Sequence, residues 1–118
     1  MLKNISIDTT FKAMSEPRRR EILRMLSFGE LTAGEIASGF DVTQPAISQH
    51  LGVLAEAGLV TVRKAGTRRF YRAVPQRIDE IRAYLADFWL TALDRLKEAA
   101  EKEEAEKTEQ RRKDGNAN

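Results

Sequence analysis

The residues best suited to bind a ligand through hydrogen bonds lie in one short stretch, DVTQPAISQHLGVLAEAG, which spans residues 41–58. Ser48 and Gln49 fall on one side of a predicted helix, and their hydroxyl and amide groups can form hydrogen bonds with the base edges of DNA. The free N–H groups of the first helical turn also favour a phosphate. The stretch therefore favours a DNA-reading helix. Taken alone, it fits an ordinary amphipathic surface helix equally well.

Clear signals mark where this helix begins and ends. Thr43 is a good N-cap, and Pro45 lies in the first turn, where a missing N–H costs nothing. Gly58 is a typical terminator. Between these residues one apolar stripe recurs at i, i+4 and i+7 and should be buried, formed by Ile47, Leu51 and Leu54.

The elements before the stretch complete a helix-turn-helix. We predict a first helix over residues 8–14, and a second that starts with Ser15 as its cap and runs to about Ser27. Thr32 and Glu35 match a capping box, which opens a short third helix. Two short helices joined by a tight turn, the second polar on its outer side, are typical of a helix-turn-helix.

After Gly58 the apolar period changes from 3.6 to 2, which predicts two strands over residues 59–63 and 69–74. Residues 64–67 form the turn between them, and Gly66 can supply the positive φ of a tight hairpin. Residues 61–73 carry five cations and no acid, a pattern that favours a polyanion, although a solvated strand edge is the alternative. The cations are Arg63, Lys64, Arg68, Arg69 and Arg72.

The predicted fold class is therefore mainly α with a small β-hairpin: a winged helix-turn-helix of five helices plus one two-stranded wing. The fifth helix starts at about Arg77 and has more apolar surface than a small winged domain needs for its own core. We expect it to pack against a second copy in a homodimer, with the first helix joining the interface. The alternative is that Phe88 and Trp89 pack within the monomer. The predicted interface consists of Phe11, Ile78, Ile81, Leu85, Phe88, Trp89 and Leu93.

Length and composition set the remaining limits. With 118 residues, 42% of them hydrophobic and 32% charged, the chain is expected to form one soluble domain over residues 1–100. Residues 101–118 should form a charged tail, partly helical and disordered from Arg111 onward. The chain has no cysteine, which excludes disulfides and thiolate ligands. No segment has the apolar length of a signal peptide core or membrane span, so a cytoplasmic protein is expected.

Three phrases resemble one known family: FKAMSEPRRREIL, LTAGEIASGFDVTQPAISQHLGVLAEAGLV and RKAGTRRFYRA. Together they cover the chain from Phe11 to Val74, and they are similar to the ArsR-type (arsenic-repressor) winged helix-turn-helix regulators. The resemblance implies a homodimer that binds double-stranded DNA at a palindromic operator and usually represses transcription, possibly at its own promoter.

The resemblance also assigns residues to the DNA interface. It implies a major-groove face on the recognition helix formed by Thr43, Gln44, Ser48 and Gln49. It further implies wing contacts from Arg63, Lys64, Thr67, Arg68 and Arg69. His50 falls at the edge of the buried stripe, so we expect it to contact a phosphate or to have a structural role.

The chain departs from the metal-sensing members of this family. Thr32 and Gly34 stand where those members have a Cys-x-Cys pair. The fifth helix has carboxylates (Asp79, Glu80, Asp87, Asp94) but no histidine, and carboxylates alone suit transition metals poorly. The phrase LTAGEIASGF resembles the metal-free branch, the sporulation-delay autorepressor type. We therefore predict no metal at the classical sites and no cofactor.

Three other functions are the alternatives. An enzyme is disfavoured because Ser48 and His50 lie about 200° apart around a helix and cannot form a nucleophile–base pair. A winged-helix module for protein–protein contact is the second. The third is a regulator of the same fold that responds to a small molecule, to a carboxylate-bound ion or to oxidation of Met14 or Met25.

Overall fold

The computed structural model describes residues 5–115, and the first four and last three residues lie outside the described part. Within this range there are five helices and one two-stranded antiparallel sheet. The contacts divide the chain into two units, one up to Ile81 and one from Arg82 onward. The elements are α1 (Ile7–Met14), α2 (Pro17–Leu26), α3 (Ala33–Ser38), α4 (Gln44–Glu56), β1 (Val60–Ala65), β2 (Arg68–Ala73) and α5 (Pro75–Gly115).

The core of the first unit is aliphatic and joins all of its helices to the hairpin. The predicted stripe of α4 is confirmed, since Ile47, Leu51 and Leu54 are each at most 1% exposed. Helix α2 also buries one face, through Ile22, Leu23 and Leu26. The main buried side chains are Ile22, Leu23, Leu26, Ile36, Ile47, Leu51, Leu54, Leu59, Val60 and Ile81.

Helix α4 begins and ends as the sequence predicts. The Thr43 side chain accepts a hydrogen bond from the Ala46 N–H at 3.3 Å. Gly58 adopts a φ of +76°, and an added Cβ there would meet the Ile5 side chain at 3.0 Å. The N–H of Leu59 then donates to the Leu54 carbonyl at 2.9 Å. The hairpin therefore follows the recognition helix without a loose linker.

The turn of the hairpin is shorter than predicted, two residues instead of four, and the strands run over Val60–Ala65 and Arg68–Ala73. Their pairing runs from Val60 opposite Ala73 to Ala65 opposite Arg68. Only Gly66 and Thr67 remain in the turn, because the φ of +64° at Gly66 permits a two-residue connection. The inner edge of β2 also pairs with the loop after α2, through two backbone hydrogen bonds between Leu31 and Tyr71 at 3.1 and 2.8 Å.

The predicted cap of α2 is wrong by one residue. Pro17 takes the first helical position, so the residue directly before it, Glu16, becomes the cap, and its carboxylate accepts from the Arg19 N–H at 3.1 Å. Ser15 instead ends α1, where its hydroxyl donates to the Lys12 carbonyl at 2.7 Å. The same preference for proline in the first turn starts α5 at Pro75, two residues before the predicted start.

The second unit is a continuation of α5. The prediction of disorder from Arg111 is wrong for residues 111–115, which are helical, and residues 116–118 lie outside the described part. Good helix formers and pairs at i+3 and i+4 account for this, including Lys107–Glu103 at 3.4 Å and Gln110–Asp114 at 3.0 Å. The domain boundary at residue 100 stays a prediction. Among the described residues, no helix is long and apolar enough to span a membrane.

Candidate nucleic-acid interface

The outer face of α4 is polar and open to solvent. Thr43, Gln44, Ser48 and Gln49 are all exposed, while the opposite stripe of the helix is buried. The predicted hydrogen-bonding residues therefore lie together on one accessible face. Of these four, Thr43 already uses its hydroxyl oxygen to cap the helix.

His50 lies in a different environment from these four residues. Its side chain is only 22% exposed. Its Nδ1 lies 3.5 Å from a guanidinium nitrogen of Arg19 and 3.9 Å from the Glu16 carboxylate, both on or next to α2. This arrangement favours the structural role over a contact with a phosphate.

The wing presents its cations on an exposed surface. Lys64, Arg68 and Arg69 are all exposed. Arg63 is engaged within the protein: its Nε donates to Glu30 at 3.0 Å, and its guanidinium lies over the Phe70 ring at 4.7 Å. Arg63 therefore holds the wing against the loop after α2. No local pattern indicates this pair, because Glu30 lies 33 positions away from Arg63 in the sequence.

A crevice joins the recognition helix to the wing. It has a volume of about 380 Å³, and its lining includes Gln44 and Ser48 from α4 and Arg68 and Arg69 from the wing. Tyr71 lines it from β2. Hydrogen-bonding groups and cations thus face one open concave surface, which is the combination that DNA binding requires: cations for phosphates, amides and hydroxyls for bases.

The capping box of α3 borders this crevice and is confirmed. The Glu35 carboxylate accepts from the Thr32 N–H at 3.0 Å, and the Thr32 hydroxyl accepts from the Glu35 N–H at 3.1 Å. The backbone hydrogen bond from Thr32 lowers the pKa of Glu35 most, followed by the Thr32 side chain and the positive charge of Arg68.

Substitution of this box should give a pH-dependent loss of stability. Thr32→Ala is expected to lower the free energy of unfolding by about 1 kcal/mol. Because folding lowers the pKa of Glu35, its ionised form stabilises the fold above the ordinary glutamate pKa, and this stabilisation is lost as the pH falls through the lowered pKa. The free energy of unfolding of Glu35→Gln, measured in urea, should therefore be lower than that of the parent at pH 7. The two values should become equal in acid, where Glu35 is protonated. The exposed control Glu104→Gln should show no such pH-dependent difference from the parent. A difference as large as that of Glu35→Gln would contradict the role of the capping box.

The second unit presents a large apolar surface. Phe88 is 57% exposed and Trp89 is 61% exposed, so the alternative that both pack within the monomer is not supported. Leu85 and Leu93 are also nearly half exposed. Ile81 was predicted in this interface, but it is 5% exposed and lies in the core of the first unit, because the first turns of α5 cover that core. Phe11 and Ile78 are partly buried against the same core.

The residues at the family's metal positions do not fit a metal. The Thr32 hydroxyl is engaged in the capping box, and position 34 has no side chain. On α5, the carboxylate of Glu80 pairs with Arg77 at 2.6 Å. Across residues 5–115, no three His, Cys, Asp or Glu side chains cluster as a metal site.

The fold and this surface define a class of protein, the winged helix-turn-helix DNA-binding proteins. Residues 16–62 match the model of the bacterial regulatory protein, arsR family. The chain is 43% identical over 88 residues to the HTH-type transcriptional regulator Rv2034 of Mycobacterium tuberculosis, which covers 75% of this chain and 82% of the relative. It is 40% identical over 65 residues to the transcriptional repressor SdpR of Bacillus subtilis, covering 55% of this chain and 72% of the relative.

Solved structures agree with this class. A possible transcriptional regulator for arsenical resistance superimposes with a TM-score of 0.64 at 47% identity, covering 72% of this chain and 88% of that one. The homodimeric winged helix-turn-helix domain of Mb0332 from Mycobacterium bovis superimposes with a TM-score of 0.57 at 29% identity, covering 73% of this chain and 77% of that one. The chain belongs to the ArsR family. It is a DNA-binding transcriptional regulator and not an enzyme.

Proposed function

We propose that the protein is a homodimeric repressor that binds a palindromic operator. In this proposal Thr43, Gln44, Ser48 and Gln49 of α4 contact bases in the major groove, and Lys64, Thr67, Arg68 and Arg69 of the wing contact the flanking phosphates. The observation that carries it is the crevice in which Gln44 and Ser48 face Arg68 and Arg69. Arg63 would act mainly by holding the wing, since Glu30 already binds it.

The exposed aromatic surface of α5 supports the dimer. Two aromatic side chains more than half exposed are costly in water, and a second copy of the same surface would cover them. A solved relative of the same fold is homodimeric. A two-fold dimer would place two copies of α4 in successive major grooves, about 34 Å or a multiple apart. Bound there, the dimer would exclude polymerase from a promoter, including its own.

The proposed repressor needs no metal. At the α3 position where metal-sensing members have a Cys-x-Cys pair, the Thr32 hydroxyl is engaged in the capping box and position 34 has no side chain. Cytoplasmic DNA would be the site of action.

Fluorescence anisotropy on the protein's own upstream DNA tests the proposal. The titration is made at several salt concentrations with EDTA throughout, and unrelated DNA of equal length is the control. We expect selective binding that is tighter than binding to the unrelated DNA by about 10³-fold or more. Binding that appears only after a metal or metabolite is restored would overturn the metal-free repressor. An absence of binding to every DNA tested would favour the protein–protein module.

A further inference from the structure

Arg77 joins three separate elements of the first unit. Its side chain is only 9% exposed, although it carries a charge. The guanidinium donates to the carbonyl of Ala57, the residue directly after α4, at 3.3 Å. It also donates to the carbonyls of Ile5 at 2.8 Å and Ser6 at 3.1 Å, just before α1, and to the hydroxyl of Thr10 within α1.

Such a buried charge is costly unless it is fully paired. Here Glu80, one turn further along α5, accepts from Arg77 at 2.6 Å and compensates the charge. The three guanidinium nitrogens together contact five acceptors, whereas a lysine ammonium has a single nitrogen with three N–H donors. Arg77 therefore ties the start of α1 to the end of α4.

Arg19 makes a similar link at the other end of α1. Its Nε donates to the Ala13 carbonyl at 2.5 Å, and a second nitrogen donates to the Lys12 carbonyl at 3.3 Å. A third guanidinium nitrogen lies 3.5 Å from Nδ1 of His50 in α4. Helix α1 is thus connected to α4 at both of its ends, once through each arginine.

We propose that Arg19 and Arg77 form an arginine clasp that fixes the orientation of the recognition helix α4 relative to α1. The inference rests on the proposed function, a homodimer that places two copies of α4 on the operator, and on the sequence prediction that α1 joins the dimer interface. Base recognition requires both copies of α4 to enter the grooves at one spacing, whereas phosphate contacts from the wing tolerate small shifts. Loosening the clasp should therefore reduce selectivity for the operator more than general affinity for DNA.

The test compares Arg77→Gln, Arg77→Lys and Arg19→Gln with the matched control Arg24→Gln. Arg24 is 70% exposed and pairs with Glu21, so the control removes the same charge outside the clasp. We expect each clasp variant to bind the operator about tenfold more weakly, with nearly unchanged binding to unrelated DNA and an unchanged salt slope. Equal weakening on both DNAs, or a change below twofold, would overturn the clasp.

A second readout does not depend on DNA. In the free protein, hydrogen exchange at the amides of residues 51–58 should be faster in Arg77→Gln than in Arg24→Gln. The wing amides should exchange at the same rate in both variants. Unchanged exchange in the clasp variants would overturn the proposal even if the operator is never found. Circular dichroism is used to check that each variant is folded. If Arg77→Gln is unfolded, the results for Arg77→Lys and Arg19→Gln decide whether the clasp exists. If the parent protein lacks selective DNA binding, the proposed function fails and the exchange measurement still decides the clasp.

Discussion

Replacing Phe88 and Trp89 together by glutamate is expected to give a folded monomer with at least about 100-fold weaker operator binding. Each ring contributes roughly 1.5–3 kcal/mol when an interface buries it, and two charges per copy would oppose that burial. A monomer loses the gain of binding two half-sites at once, which is worth about 10²–10⁴-fold. Sedimentation gives the oligomeric state, and anisotropy on the operator gives the affinity.

The control for this prediction adds the same charges elsewhere on the helix. Ala99 and Ala100 are exposed in the described helix, so Ala99→Glu with Ala100→Glu should remain a dimer and bind the operator normally. The core of the first unit does not include Phe88 or Trp89, so far-ultraviolet circular dichroism should change little. A Phe88→Glu, Trp89→Glu protein that sediments as a dimer would show that another surface holds the two copies together.

Replacing Arg68 and Arg69 together by alanine should weaken binding to every DNA sequence. Both side chains are exposed and line the crevice beside α4. A dimer would lose four cations, so the slope of log K against log salt should become shallower by about four and affinity at moderate salt should fall by about 100-fold or more. Selectivity between operator and unrelated DNA should persist, because base contacts remain.

Two exposed cations outside the wing provide the comparison. Lys97→Ala with Lys102→Ala removes the same charge from the second unit and should leave the slope nearly unchanged. If the Arg68→Ala, Arg69→Ala slope equals that of the parent, the wing does not contact phosphates. Salt slopes thus separate loss of the wing from loss of the arginine clasp, where selectivity falls and the slope stays constant.

Local signals in the sequence were sufficient for most of the fold. The spacing of Ile47, Leu51 and Leu54 predicted the buried face of α4, because a helical period needs no knowledge of the partner. The capping box of Thr32 and Glu35 is likewise local, as both partners lie within one turn. These signals were enough to predict a winged helix-turn-helix and the exposed face of its recognition helix.

Contacts between residues far apart in the sequence could not be predicted. The bond from Arg63 to Glu30 and the bonds from Arg77 to Ile5 and Ala57 span 20 to 72 positions and have no periodic signature. Ile81 was assigned to the dimer surface because periodicity identifies an apolar stripe but not which neighbour covers each part of it. The role of Arg77 was hidden by its charge, which normally predicts exposure.

The short connection at Gly58 has a consequence for the kind of DNA that the protein accepts. Helix α4 passes into β1 through only three residues, 57–59, and Gly58 among them has a φ of +76°. Hydrogen bonds from the Leu59 N–H to the Leu54 carbonyl and from the Val74 N–H to the Leu59 carbonyl hold both strands to the helix end. The distance between the groups offered to bases and those offered to phosphates is therefore nearly constant. The DNA must adjust its groove width to that distance, so base pairs that no side chain touches should influence affinity through their stiffness.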